Sequence, residues 1–313
     1  MLESTGLGAP PDSLAPPRQS FSKESAILIA LAVAGTALKL PLGIWFKPLF
    51  HSDLGYYRFL WIGFQIALVC VVPFALRLNS ELGLPGAPFI AAKLAGLRPP
   101  GRVRSLIRIA LLYDLASIGV SILAIAVLVF SGALPLSAAA RGASHASSPS
   151  FRASPFGALH GQAGRFFAIG ALGSIGAGLS EEIMFRLSLF AIFTWLFRAL
   201  LQDRTDRPSR TALWCATIMQ GYAFGLVHVI LRPKILPKLK MPILIAGLAA
   251  PQTGAGVVLG RLYLKRGLEA SMIAHAMMDL GLFLLAAIIL HLIDLLSVPH
   301  SGVSVRAFIA GYG

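Results

Sequence analysis

The chain has 313 residues, 56% of them hydrophobic and 13% charged, with a formal net charge of +14 and a mean hydropathy of +0.77. A soluble domain carries about a quarter charged residues, so this balance excludes an ordinary soluble core and points to a polytopic membrane protein. The positive charge does not mark a nucleic-acid binder: Arg77, Lys93, Arg98, Arg102, Arg104 and Arg108 sit in a short connection between apolar runs, where the positive-inside rule puts them, not among aromatics on a soluble face.

In chain order, residues 1–22 are rich in Pro, Ser and Gly and read as a disordered tail, without the cleavage site of a signal peptide. Residues 23–162 hold N-terminal membrane helices at Ala26–Trp45, Tyr57–Leu76 and Ile107–Phe130, then a flexible Ala/Ser/Gly/Pro-rich loop from Ser131 to Gly164. Residues 163–296 hold further spans at Phe166–Leu201, Thr211–Ile230, Ile243–Leu264 and Leu268–Leu296, and 297–313 form a C-terminal tail. The runs lack the alternation of a barrel, and an open sheet edge cannot be satisfied in lipid. The fold class is therefore all-α: a polytopic integral membrane helical bundle of seven or eight transmembrane helices.

The run 166–201 is too long for one simple crossing, so it either projects as an amphipathic stretch from Leu187 or breaks into two elements. A single crossing with a cytoplasmic extension is preferred, because it keeps the polar motifs at similar depth. The basic connection 77–108 then lies in the cytoplasm, and so does the N-terminus. Plain readings suit other polar residues. Lys39 and Arg261 lie near span ends and can snorkel, Asp114 faces the interface or pairs with a base, and His291 and Asp294 lie towards the far interface. His145 and His160 are loop residues, Trp45, Tyr56, Tyr57 and Trp61 form an aromatic belt, and Cys70 and Cys215 are buried small hydrophobes.

Three polar pairs interrupt the later apolar runs: Glu181-Glu182 with Arg186, Phe224 with His228, and His275 with Asp279. A charge near the bilayer centre costs roughly 2.5–3.5 kcal/mol even on the lenient insertion scale, so such groups mark function. On a helix Glu182 and Arg186 share a face, acid before base, while Glu181 is rotated by about 100° towards another neighbour. Gly170, Gly173, Gly176 and Gly178 precede them and let another helix approach closely. Two imidazoles and a carboxylate on separate helices can bind a divalent metal, or hold a water between a carboxylate base and imidazole donors. Asp279 can orient His275, or donate to an oxyanion if protonated. The same inventory also builds the relay of a proton-coupled transporter, so composition alone leaves enzyme and carrier open.

Glu-Glu-x-x-x-Arg, Phe-x-x-x-His and His-x-x-x-Asn/Asp, in that order on successive membrane helices, resemble the CPBP family of intramembrane proteases, which includes the type II CAAX prenyl endopeptidases and relatives tied to bacteriocin processing and immunity. The resemblance covers roughly 163–296. It implies a membrane-embedded endopeptidase in which Glu181 activates water, with Glu182, Arg186, His228, His275 and Asp279 as further catalytic residues. It also implies a divalent metal such as zinc, for which Glu181, His228 and His275 are the candidate ligands. The family position of Asp279 carries Asn or Asp, and a carboxylate there accepts where an amide would donate. The implied partners are membrane lipids and a peptide or protein substrate, lipid-modified or membrane-anchored. The short Ala- and Arg-rich loops suggest a bacterial inner membrane. A transporter, or a non-proteolytic immunity or scaffold protein, is the alternative.

Overall fold

A computed structural model describes residues 21–50, 54–98, 103–130, 161–201, 207–230 and 250–297. Its elements are α1 (Phe21–Phe50), α2 (Leu54–Glu81), α3 (Pro88–Leu94), α4 (Val103–Phe130), α5 (Ala163–Glu182), a π segment (Ile183–Leu189), α6 (Phe190–Leu200), α7 (Arg210–Ile230), α8 (Ala250–Arg266) and α9 (Leu268–Ser297). Among the described residues there is no strand, as expected of a chain whose backbone must satisfy itself in lipid. Each predicted span overlies a helix where its residues are described, residues 243–249 of the span Ile243–Leu264 lying outside them, and the short α3 inside the basic connection is an addition. The tail to residue 20, the loop 131–160, the stretch from Arg232 to Lys240 and the residues from 298 lie outside the described residues, with His145 and His160. So do the side chains of the aromatic belt.

Among the described residues, three helices are long and apolar enough to cross a membrane, Ser22–Leu42, Ala163–Leu200 and Leu268–Leu292. Large apolar side chains such as Phe74, Leu112, Leu115, Ile175 and Ile288 face outward. In water such a surface would aggregate; in a bilayer it is the lipid contact. The chain is an integral membrane protein. Cys70 is exposed and Cys215 only partly buried, so the expectation that both are buried small hydrophobes is corrected. Apolar thiols need no protein neighbours when lipid covers them.

Lipid removes the hydrophobic drive between helices, so close backbone packing has to hold the bundle together. The glycines of α5 do this on two sides. A Cβ on Gly35 of α1 would fall 2.8 Å from the carbonyl oxygen of Gly176, and one on Gly178 would fall 2.6 Å from the carbonyl oxygen of Met272 on α9. Helix α5 is therefore clasped between α1 and α9, and α4 covers α9 where the Asp114 side chain abuts Gly281. Helices α7 and α8 cross at Gly221 and Gly256. Gly267, at φ +89°, turns α8 straight into α9, and the Leu268 amide donates to the Gly86 carbonyl at 2.9 Å.

The long run does not break. Residues 163–200 form one continuous rod of 38 residues, roughly 57 Å at an α-helical rise, far longer than a ~30 Å hydrocarbon core. Its irregularity is a wider turn. The Phe190 amide bonds the Phe185 carbonyl five residues back, and the Ser188 hydroxyl reaches the Ile183 carbonyl at 3.1 Å. Such π turns occur mostly as single insertions near functional sites. This one begins immediately after Glu182.

Candidate active site

The two glutamates end α5, and the helical rotation sends them to different neighbours. Glu182 is wholly buried. Its Oε1 meets His275 Nδ1 at 2.7 Å and its Oε2 lies 3.1 Å from Arg186 Nε, also wholly buried. The second contact is a charge contact without hydrogen-bond geometry. Glu181 points towards α1 and α7. Its Oε1 accepts from Lys39 Nζ at 3.0 Å, and its Oε2, buried without a hydrogen-bond partner, faces His228 Nε2 at 3.9 Å.

Phe224 joins these groups. Its ring packs 4.6 Å from the His228 ring, 5.6 Å from the His275 ring and 5.0 Å edge-on from Phe185, and the Arg186 guanidinium stands 4.7 Å over its face. A guanidinium on an aromatic face gains about 2 kcal/mol or more when desolvated, which helps to hold Arg186 inside. Arg186 Nη2 also reaches the Gly256 carbonyl at 3.5 Å, and Gln220 Nε2 donates to that same oxygen at 2.7 Å. The glycine crossing of α7 and α8 thus exposes a backbone acceptor at the site.

The histidine environments constrain their protons. His228 Nδ1 lies 2.8 Å from the Phe224 carbonyl, an obligate acceptor, so Nδ1 carries hydrogen and in the neutral ring Nε2 is an acceptor. His275 has carboxylate oxygens at both nitrogens, Glu182 at 2.7 Å and Asp279 Oδ2 at 3.6 Å, which suits hydrogen on both. Side-chain exposure divides the set in two. Glu182, Arg186 and His275 form a buried frame with exposures of 0%, 0% and 5%, whereas Glu181, His228, Asp279 and Lys39 are partly exposed, at 17%, 27%, 32% and 26%.

All six residues singled out by sequence meet here. The pairing read for Glu182 and Arg186 is present at 3.1 Å, with Arg186 in the π segment and not in a regular α-helix. Sequence reading missed four contributors. Lys39, read as snorkelling, turns inward to Glu181. Gln220 carried no signal apart from being a polar residue in an apolar run. Asn79 and Tyr263 form a buried brace: Asn79 Nδ2 donates to the Leu187 carbonyl of the π segment at 2.8 Å, and the Tyr263 hydroxyl donates to Asn79 Oδ1. Arg261 stands over Trp214 at 4.2 Å, and His291 is exposed away from the site.

As candidate metal ligands, Glu181, His228 and His275 fit poorly. Among the described residues no three His, Cys, Asp or Glu side chains converge to hold an ion. Both nitrogens of His275 are turned to carboxylates and one oxygen of Glu181 to an ammonium.

Residues 163–281 match the family described as type II CAAX prenyl endopeptidase Rce1-like. The segment is an Rce1-like domain. No curated protein and no solved structure matches the chain. The Rce1-like domain is a little over a third of the sequence, and all six motif residues fall inside it. The match likens this segment to type II CAAX prenyl endopeptidases and does not extend to the rest of the chain. Helix α1 with Lys39 lies outside the matched residues.

Proposed function

We propose that the protein is an intramembrane endopeptidase that hydrolyses a peptide bond with water activated by Glu181. The observation that carries this reading is the division between a buried frame and an accessible group. A base must reach substrate, and of the two glutamates only Glu181 has exposed side-chain surface. Two acceptors, Glu181 Oε2 and His228 Nε2, face each other at 3.9 Å, and a single water can satisfy both by donating one hydrogen to each, which turns its lone pair outward. An orphaned buried carboxylate oxygen costs about 1–3 kcal/mol or more, so a donor at Oε2 is strongly favoured.

The water oxygen attacks the scissile carbonyl carbon while its proton passes to Glu181. His275, held by Glu182 at Nδ1, turns Nε2 towards the partly exposed Asp279, and from that edge of the frame it donates to the oxyanion as it forms. Glu181 then returns the proton to the amide nitrogen, the C–N bond breaks, and an acid and an amine leave. Arg186 supplies the counter-charge beside Glu182, whose other oxygen holds His275. Asp279 flanks the same imidazole on its exposed side. No step is routed through a metal, because the donor set does not converge on one.

The remaining parts of the reading are seven or eight crossings, a cytoplasmic N-terminus, a protease core at 163–296, a bacterial inner membrane and a lipid-modified or membrane-anchored peptide substrate. The test is cleavage of a panel of internally quenched peptides, with and without a farnesyl or geranylgeranyl cysteine, by the purified detergent-solubilised protein. Glu181→Gln is expected to abolish cleavage while leaving membrane insertion and melting temperature close to wild type. Cleavage retained in that variant would remove Glu181 from the role of base.

A further inference from the structure

Lys39 reaches the site from α1, outside the Rce1-like segment. Two independent features hold it there. Its Nζ is 3.0 Å from Glu181 Oε1. Its stem lies in the groove made by a missing side chain, since a Cβ on Gly176 would come within 2.8 Å of Lys39 Cγ, while Gly35, one turn earlier on α1, meets the α5 backbone itself. A snorkelling lysine lays its stem along apolar surface and sends its head to the interface. This one is laid along α5 and ends on a carboxylate.

The charges of the site explain what a second cation adds. Three carboxylates, Glu181, Glu182 and Asp279, converge on two imidazoles, and Arg186 is committed to Glu182. Glu181 faces two competing partners. With Oε1 engaged by Lys39, Oε2 is left turned towards His228 at a distance too long for a direct hydrogen bond. Released from Lys39, the carboxylate needs only a small rotation and shift to close on His228 once that ring takes a proton at Nε2, and the resulting ion pair would use up both groups that receive the water.

We propose that Lys39 is a positioning residue for hydrolysis: it pins one oxygen of Glu181 so that the other stays available to water and does not collapse onto His228. The active unit then includes α1, and the Rce1-like segment by itself lacks one of its parts. This inference rests on Glu181 being the base.

The test uses the purified 313-residue chain and a farnesylated, internally quenched CAAX peptide as probe, with wild type, Lys39→Met, Lys39→Arg and Glu181→Gln assayed side by side. Lys39→Met is expected to lower kcat about a hundredfold, the order of loss for a reacting group misplaced by an ångström, with KM within about twofold because the lysine acts through Glu181. Lys39→Arg is expected to recover at least about a tenth of kcat, since a guanidinium presents a cationic donor to the same oxygen. Wild-type kcat in Lys39→Met beside an inactive Glu181→Gln would overturn the role of Lys39 and leave the base in place. Wild-type cleavage by Glu181→Gln would overturn the base and the inference together. Folding is checked by a double-mutant cycle on melting temperature. Losses that do not add in Lys39→Met/Glu181→Gln support the pair, and strictly additive losses would overturn it.

Discussion

Adjacent glutamates with separate duties are a product of helical rotation and of what each rotation meets. Glu182 meets Arg186 and His275 where all three are buried, and Glu181 meets Lys39 and His228 among partly exposed side chains. Breaking a buried charged set by removing one partner costs about 3–5 kcal/mol, because the remaining charge is left uncompensated. Glu182→Gln is therefore expected to lose activity and a large part of its stability together. Asp279→Asn is expected to be much milder, within about tenfold in kcat, because the 2.7 Å bond to Glu182 already orients His275 and the 3.6 Å approach of Asp279 adds little direction. Measuring kcat and melting temperature for both variants checks this ordering, and a more severe loss in Asp279→Asn would make its carboxylate a principal partner of His275. The six motif residues were legible because charge in an apolar run stands out. Lys39 was not, since any lysine near a span end has the same local signature whether it reaches outward or inward.

At the scale of the element, the π segment is what lets one rod carry both the glutamates and Arg186 into a protein interior that α2, α7 and α8 also approach. A wider turn exposes its carbonyls to neighbours, and Asn79 uses that of Leu187 while binding Ala75 at 2.6 Å and receiving Tyr263. Asn79→Ala would leave the Tyr263 hydroxyl, fully buried, without its acceptor, and would strip a bond from the π turn. Each buried group left unsatisfied costs roughly 1–3 kcal/mol. The expected outcome is a clearly lowered melting temperature together with reduced kcat, and Tyr263→Phe, which leaves one acceptor of Asn79 idle, should cost less. Equal stability of Asn79→Ala and wild type would show that the π turn needs no brace. The sequence carried no sign of this element. Glu182 and Arg186 at i and i+4 read as α-helix, and a π turn depends on partners more than a hundred residues away in the chain.

Across the whole molecule, packing substitutes for the hydrophobic drive that lipid removes. Helix α5 is clasped by α1 through Gly35 and Gly176 and by α9 through Gly178, so the site is assembled from helices that touch nearly backbone to backbone. On α9 the contacts of Gly178 are the Met272 carbonyl and Ala276, which bracket His275. Gly178→Ala would place a Cβ 2.9 Å from that of Ala276, and relieving the overlap pushes α9 away from α5. Overpacking of this kind costs about 1–3 kcal/mol, but the larger effect is expected on activity, because the same displacement lengthens the Glu182 to His275 bond. A kcat that falls steeply while the protein stays folded by size-exclusion chromatography is the expected result; unchanged kcat would show that the two helices can separate without moving the histidine.

Composition and hydropathy by themselves determined that the chain is an all-helical membrane protein, because lipid leaves few ways to satisfy a backbone. The order of three polar motifs determined which six residues to suspect, because an ionisable group in hydrocarbon must justify its cost locally. Only the tertiary structure decided which glutamate is buried and which is accessible, that the long rod continues through a π turn, and that a lysine from the first helix completes the group. Those depend on which helices pack against one another, and helix pairing in a membrane is set by close contacts between glycines and facing backbone, which hydropathy along the chain does not encode.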